Sequence, residues 1–234
     1  MSSAPLSPPP SPLQRHLPNA LTVARLVLAG AFFASLNVWR YDHANPLPFW
    51  GNVGLTLFIL AAVTDALDGY LARRWQVVSV FGRIMDPVCD KVLVLGAFVY
   101  LAGPRFVMPE KVVGGELFAM SSGVYPWMAV VVIFRELLVT GVRSVAEAMG
   151  VDFSSNWWGK AKMILQTIAI PVAICVAVNF DPALKQNTWA VWLRDILVWG
   201  TVFVTIGSGV PYVLDFWRVM KSRGRGAGKS GAGG

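Results

Sequence analysis

The chain has 234 residues, of which 55% are hydrophobic and 14% charged, with a formal net charge of +7. A soluble domain carries about 25% charged residues, so this composition excludes an ordinary soluble globular protein and points to an integral membrane protein. The basic residues gather at the ends of apolar runs and near the C-terminus, which assigns the charge to anionic lipid headgroups rather than to nucleic acid.

In chain order, residues 1–14 open as a Ser/Pro-rich stretch, MSSAPLSPPPSP. It lacks a basic segment followed by an apolar one, so it reads as a disordered tail and not as a signal peptide. Residues 15–219 form the membrane domain. Apolar run length predicts an all-α fold of six transmembrane helices over residues 20–40, 51–73, 83–102, 126–147, 160–180 and 191–219. Pro18 and Asn19 in LPNALT mark a helix start with an Asn cap. HANPLP and NFDPALKQN are turn-rich breaks, and residues 103–125 make a longer loop with room for a short interfacial helix. Residues 220–234 are basic, Gly-rich and expected to be disordered. Trp39, Trp50, Trp127, Trp157, Trp158, Trp192 and Trp217 fall near span ends, as in an interfacial aromatic belt. Cys89 and Cys175 form no metal or disulfide pattern and read as buried small residues. Most flanking basic residues lie on the side of the N-terminus, with Arg40, Arg105, Lys111, Lys185 and Arg194 on the other, which predicts both termini in the cytoplasm.

Against this apolar background stands TDALDGYLARRWQVVSVFGRIMDPVCDK, residues 64–91. Asp65 and Asp68 are three residues apart and Asp86 and Asp90 four, so on helices each pair shares a face. Two helices joined by a short basic loop can therefore aim four carboxylates at one volume. A charge at a helix centre costs roughly 2.5–3.5 kcal/mol on insertion scales, and four unpaired anions would repel one another. Arg73 and Lys91 can neutralise part of this charge. Divalent cations do so better, because carboxylate oxygens suit Mg2+ or Mn2+, and two such ions can clamp a phosphoryl group in displacement. Gly69, Ala72 and Gly82 leave room for a ligand, and Arg73 is a partner for a diphosphate. The plainer alternative, helix caps and surface ion pairs, accounts for one such Asp but poorly for four at these spacings.

Asp65, Asp68, Gly69, Ala72, Arg73, Gly82, Asp86 and Asp90 spell D-x-x-D-G-x-x-A-R-x8-G-x-x-x-D-x-x-x-D, which resembles the signature of the CDP-alcohol phosphotransferase family at every fixed position. The resemblance implies six transmembrane helices, a homodimer, and an active site open to the cytoplasm. It implies that a CDP-linked donor binds with divalent metal ions, that an acceptor hydroxyl attacks the β-phosphorus, and that CMP leaves. By the same resemblance Asp65, Asp68, Asp86 and Asp90 hold metal, Asp90 is also the general base, and Asp65, Asp68, Gly69, Ala72, Arg73 and Gly82 form the CDP site. LPNALTVARLVLAG, MDPVCDKVLVLGA, FRELLVTGVRSVAEAMG, WGKAKMILQTIAI and TIGSGVPYVLDFW are similar to the spans of bacterial phosphatidylglycerophosphate synthases. This implies CDP-diacylglycerol as donor, sn-glycerol 3-phosphate as acceptor, and a place in the bacterial plasma membrane.

An anionic acceptor needs cations. Arg135 and Arg143 are eight residues apart and share a helix face, and Lys160 follows across a short loop. These three are the candidates for the acceptor phosphate, with Thr22 and Arg25 as weaker ones. The bland reading of Arg143 and Lys160 is topology, and that of Arg135 is a pair with Glu136. Within the family, phosphatidylinositol-phosphate synthase and cardiolipin synthase are the alternatives. Outside it, a divalent-cation transporter would also place carboxylates in a membrane, but would spread them across the midplane, often in two related halves.

Overall fold

A computed structural model describes residues 12–42, 48–75, 80–113, 119–150 and 157–230. The N-terminal stretch 1–11 and residues 231–234 of the expected tails lie outside the described residues. Seven α-helices appear in the order α1 (Pro12–Val38), α2 (Pro48–Trp75), α3 (Val80–Leu101), α4 (Pro109–Val113), α5 (Pro126–Ala148), α6 (Trp157–Asn179) and α7 (Thr188–Ser230). The six long ones coincide with the six apolar runs. The main boundary differences are that α1 starts at Pro12, so Asn19 is not its cap, and that α7 continues past residue 219. Residues 103–125 hold a 3-10 turn at Pro104–Phe106 and the five-residue α4.

The expectation of six membrane spans is corrected. Among the described residues four helical segments are long and apolar enough to cross a membrane: Asn19–Val38, Pro48–Tyr70, Gly159–Asn179 and Lys185–Leu214. The physical reason is charge. α3 carries Arg83, Asp86, Asp90 and Lys91, and α5 carries Arg135, Glu136, Arg143 and Glu147. Each charge costs several kcal/mol against hydrocarbon, so run length alone overstated these two helices. The four remaining segments still make this a multi-pass membrane protein. Its outer surface agrees, since Val27, Phe134, Leu137, Ile196 and Phe203 are all more than 60% exposed, far beyond what a water-soluble surface tolerates as continuous patches.

α1 packs against α2 and α3, α6 against α2 and α7, and α5 against α7 and α3. Apolar side chains gain little from leaving lipid, so close van der Waals contact between small residues must carry the packing. Ala29, Ala61, Ala97 and Ala173 are all buried at these interfaces. A Cβ on Gly54 would lie 2.8 Å from Ser35 Oγ, and one on Gly96 would lie 2.5 Å from Phe33 Cζ. Phe32, Phe58, Phe98 and Met128 fill the space between. Trp39 joins this core, 4% exposed with its ring 4.6 Å from that of Phe106, so it is no part of an interfacial belt.

At the end of the bundle where α1 finishes, hydrogen bonds tie the loops down. Tyr41 donates from its hydroxyl to Asp181 Oδ1 at 2.8 Å, and Asn52 and Asn179 exchange side-chain hydrogen bonds. Arg194, read from sequence as an outside topology marker, is buried and donates to the Ser121 carbonyl at 2.6 Å and to Asp195. Gly123 closes the adjoining turn at φ +70°, where a Cβ would fall 2.5 Å from Arg194 Nε. Left-handed backbone costs a non-glycine residue about 1–3 kcal/mol. Gly123→Ala is therefore expected to destabilise the protein by at least that range, read as a lower unfolding temperature in detergent. Gly141→Ala, at an exposed helical position with open space around it, is the control, expected to keep or raise the unfolding temperature because Ala favours a helix by about 1 kcal/mol over Gly.

Candidate active site

The opposite end of the bundle gathers the ionisable groups, because α2, α5 and α7 finish where α1, α3 and α6 begin. Arg25 lies at the middle of α1, inside an apolar segment, with no solvent exposure. Its Nη1 is 2.5 Å from Asp65 Oδ1 and its Nη2 donates to Asp68 Oδ2. The three-residue spacing of these aspartates puts them on one face of α2, as expected, and that face meets α1. Asp68 is buried, while the side chain of Asp65 is 42% exposed. Gly69, half-buried, follows directly.

Asp90 comes from α3. With Arg25 and Asp65 it lines a cavity of about 240 Å3 whose other walls are apolar, including Phe58, Leu93, Ile164 and Ile168. The charges of Asp65, Glu136, Lys162 and Arg25 all act on Asp90. The side chains of Ala72, Arg73, Gly82 and Asp86 lie outside the described residues.

A second cavity of about 430 Å3 lies beside the first and shares Met163 with it. The three sequence-predicted cations Arg135, Arg143 and Lys160 all line it, together with Lys91, Lys162 and Glu136. They are not equivalent. Arg135 is buried and donates to Glu136 Oε1 at 2.7 Å and to Ser208 Oγ at 2.9 Å. Lys162, also buried, donates to the same Glu136 oxygen. Lys91 donates to Thr140 Oγ1 at 2.7 Å. Arg143 and Lys160 are exposed on the cavity wall. The pairing of Arg135 with Glu136 is thus real, and it occurs within the cavity.

Two residues were undervalued from sequence. Arg25 was grouped with the acceptor cations, whereas it joins the aspartates; the available signal was that an arginine in an apolar span must find a carboxylate. Lys162 fell among the unnamed flanking basic residues that counted only for topology. It stands two residues from Lys160, a spacing that turns the two side chains to different faces, so one lysine is exposed and the other buried. Thr22 is buried near Arg25 on α1 and does not line the cation-rich cavity.

The donor set here is all carboxylate oxygen, the chemistry that suits a hard divalent cation. Among the described residues no three acidic, His or Cys side chains come close enough to hold a metal ion by themselves. Asp65, Asp68 and Asp90 therefore fit such an ion in kind, while a complete shell needs donors beyond them.

Relatives fit this arrangement. The chain is 32% identical over 212 residues to a CDP-diacylglycerol–glycerol-3-phosphate 3-phosphatidyltransferase of Bacillus subtilis, covering 88% of this chain and 98% of that protein. It is 32% identical over 213 residues to the protein of the same name in Mycoplasma pneumoniae, covering 86% and 81%. It is 30% identical over 229 residues to CDP-diacylglycerol–glycerol-3-phosphate 3-phosphatidyltransferase 2 of Arabidopsis thaliana, covering 92% and 87%. The family profile for CDP-alcohol phosphatidyltransferases spans residues 15–207, from α1 through most of the apolar part of α7 and across both cavities, and this phosphotransferase chain belongs to that family.

Proposed function

We propose that the enzyme transfers the phosphatidyl group of CDP-diacylglycerol to sn-glycerol 3-phosphate, giving phosphatidylglycerophosphate and CMP. The observation that carries this reading is the juxtaposition of two unlike cavities. One is lined by carboxylates and apolar side chains, and the other by cations, with Asp90, Lys91 and Met163 at their junction. The first suits a diphosphate headed by cytidine and tailed by acyl chains, and the second suits a small anionic acceptor. The printed names of the relatives above support the same substrates.

In this mechanism Asp65, Asp68, Asp86 and Asp90 would hold Mg2+ or Mn2+, which when bound neutralises and polarises the donor diphosphate. Asp65, Asp68, Gly69, Ala72, Arg73 and Gly82 hold the CDP portion. Arg143 and Lys160, backed by Arg135, hold the acceptor phosphate. Glu136 occupies Arg135 and Lys162, which keeps both buried cations oriented and leaves the exposed pair to meet the anion. Asp90 accepts the proton of the acceptor's primary hydroxyl while its oxygen bonds to the β-phosphorus, and the bond from that phosphorus to the CMP oxygen breaks. Fixing the two substrates in adjoining cavities supplies much of the rate. The enzyme works as a homodimer in the bacterial plasma membrane, with both termini and the active site on the cytoplasmic side. The exposed apolar helix faces meet lipid or the second copy.

Three experiments test this. Purified enzyme with CDP-diacylglycerol and Mg2+ should release CMP with glycerol 3-phosphate and not with inositol phosphate, serine or phosphatidylglycerol. Chelation should stop release and added Mg2+ or Mn2+ should restore it; release with another acceptor would overturn the acceptor assignment. Asp90→Asn should lower kcat by about 100-fold or more while retaining CDP-donor binding, whereas near wild-type turnover would remove Asp90 as base. Arg143→Ala and Lys160→Ala should each raise the KM for glycerol 3-phosphate about three- to tenfold, as expected for one charge-assisted contact at an exposed wall. The KM for CDP-diacylglycerol should change little.

A further inference from the structure

We infer that Arg25 is a positioning residue of the cation site, its guanidinium holding Asp65 and Asp68 in the orientation in which their carboxylates receive the divalent ion. The inference rests on the cation site proposed above. Arg25 sits in an apolar membrane-length segment of α1 and has no solvent exposure. A charge so placed requires a partner, and one carboxylate would suffice to neutralise it. Instead the guanidinium reaches two, from positions 65 and 68 of α2, using Nη1 for the first and Nη2 for the second. The planar fork holds a hydrogen bond to Asp68 and an ion pair with Asp65 in a fixed relation, which a lysine ammonium does not offer. It therefore sets the rotation of both aspartates at once.

Asp65 and Asp68 meet this guanidinium directly, and Asp90, on which it also acts, feels Lys162 and Glu136 as well. Arg25 meets Asp65 through Oδ1 and Asp68 through Oδ2. Asp65 is open to the cavity, which gives an ion a route of approach. Groups that orient metal ligands in this way typically change metal affinity 10- to 100-fold when removed.

The test is Mn2+ binding to the full-length protein in detergent, read from the electron paramagnetic resonance signal of unbound Mn2+, without substrates. Arg25→Gln should raise the Kd for Mn2+ by about 10- to 100-fold, and Arg25→Lys should recover only part of the loss. Asp65→Asn should add less in the Arg25→Gln background than alone, because both act on one ligand. Unfolding temperatures in chelator, measured on the same samples, separate a folding defect from a binding defect; if Arg25→Gln does not fold, Arg25→Lys carries the comparison. An unchanged Kd in a folded variant would overturn the inference alone, and so would a lower Kd, which would make the guanidinium a competitor of the ion. No Mn2+ binding by the wild-type protein would overturn it together with the cation site.

Discussion

A guanidinium buried among apolar helices has to be neutralised within reach of its own side chain, and in this protein that requirement organises the site. Arg25 draws Asp65 and Asp68 onto the face of α2 that meets α1. This fixes the rotation of α2 about its axis and, with it, the direction in which Asp65 opens toward Asp90 of α3. Close packing between small residues lets the helices approach, but such contacts tolerate sliding. A charge pair in an apolar surrounding does not, because a displaced partner leaves an ion exposed to hydrocarbon.

The same rule acts a second time one layer away. Glu136 accepts from both Arg135 and Lys162, and Arg135 also reaches Ser208, so α5, α6 and α7 are tied together through one carboxylate. The buried cations of the second cavity are thereby compensated, while Arg143 and Lys160 remain exposed to whatever enters. A cavity with paired buried cations and further exposed cations on its wall can attract an anion without carrying the full desolvation cost of every cation.

The two charged networks also account for α3 and α5 being the helices that fail as free-standing membrane spans. Asp90 and Lys91 of α3 and Arg135, Glu136 and Arg143 of α5 line the two cavities. The far end of the molecule is built differently, from the Tyr41–Asp181 and Arg194–Ser121 hydrogen bonds and the tight turn at Gly123. That end ties its loops together by hydrogen bonds, and the other end holds the two cavities lined by the paired charges.

Sequence by itself determined a great deal: the six long helices, nearly all their boundaries within a few residues, the family, and the aspartate spacing that puts Asp65 and Asp68 on one face. These are local properties, governed by run length and helical period. It also brought Arg135, Arg143 and Lys160 forward as a group, because a repeat of about two turns and a short loop limit where side chains can point. Only the tertiary structure decided which charges are paired. Arg25 is 40 residues from Asp65, and Arg135 is 73 from Ser208, and helical periodicity carries no information across such gaps. For the same reason sequence could not separate the buried Lys162 from the exposed Lys160 by role, nor show that Arg194 and Trp39 belong to the interior. The number of spans was overcounted because apolar run length was read without the charges that α3 and α5 carry inside those runs.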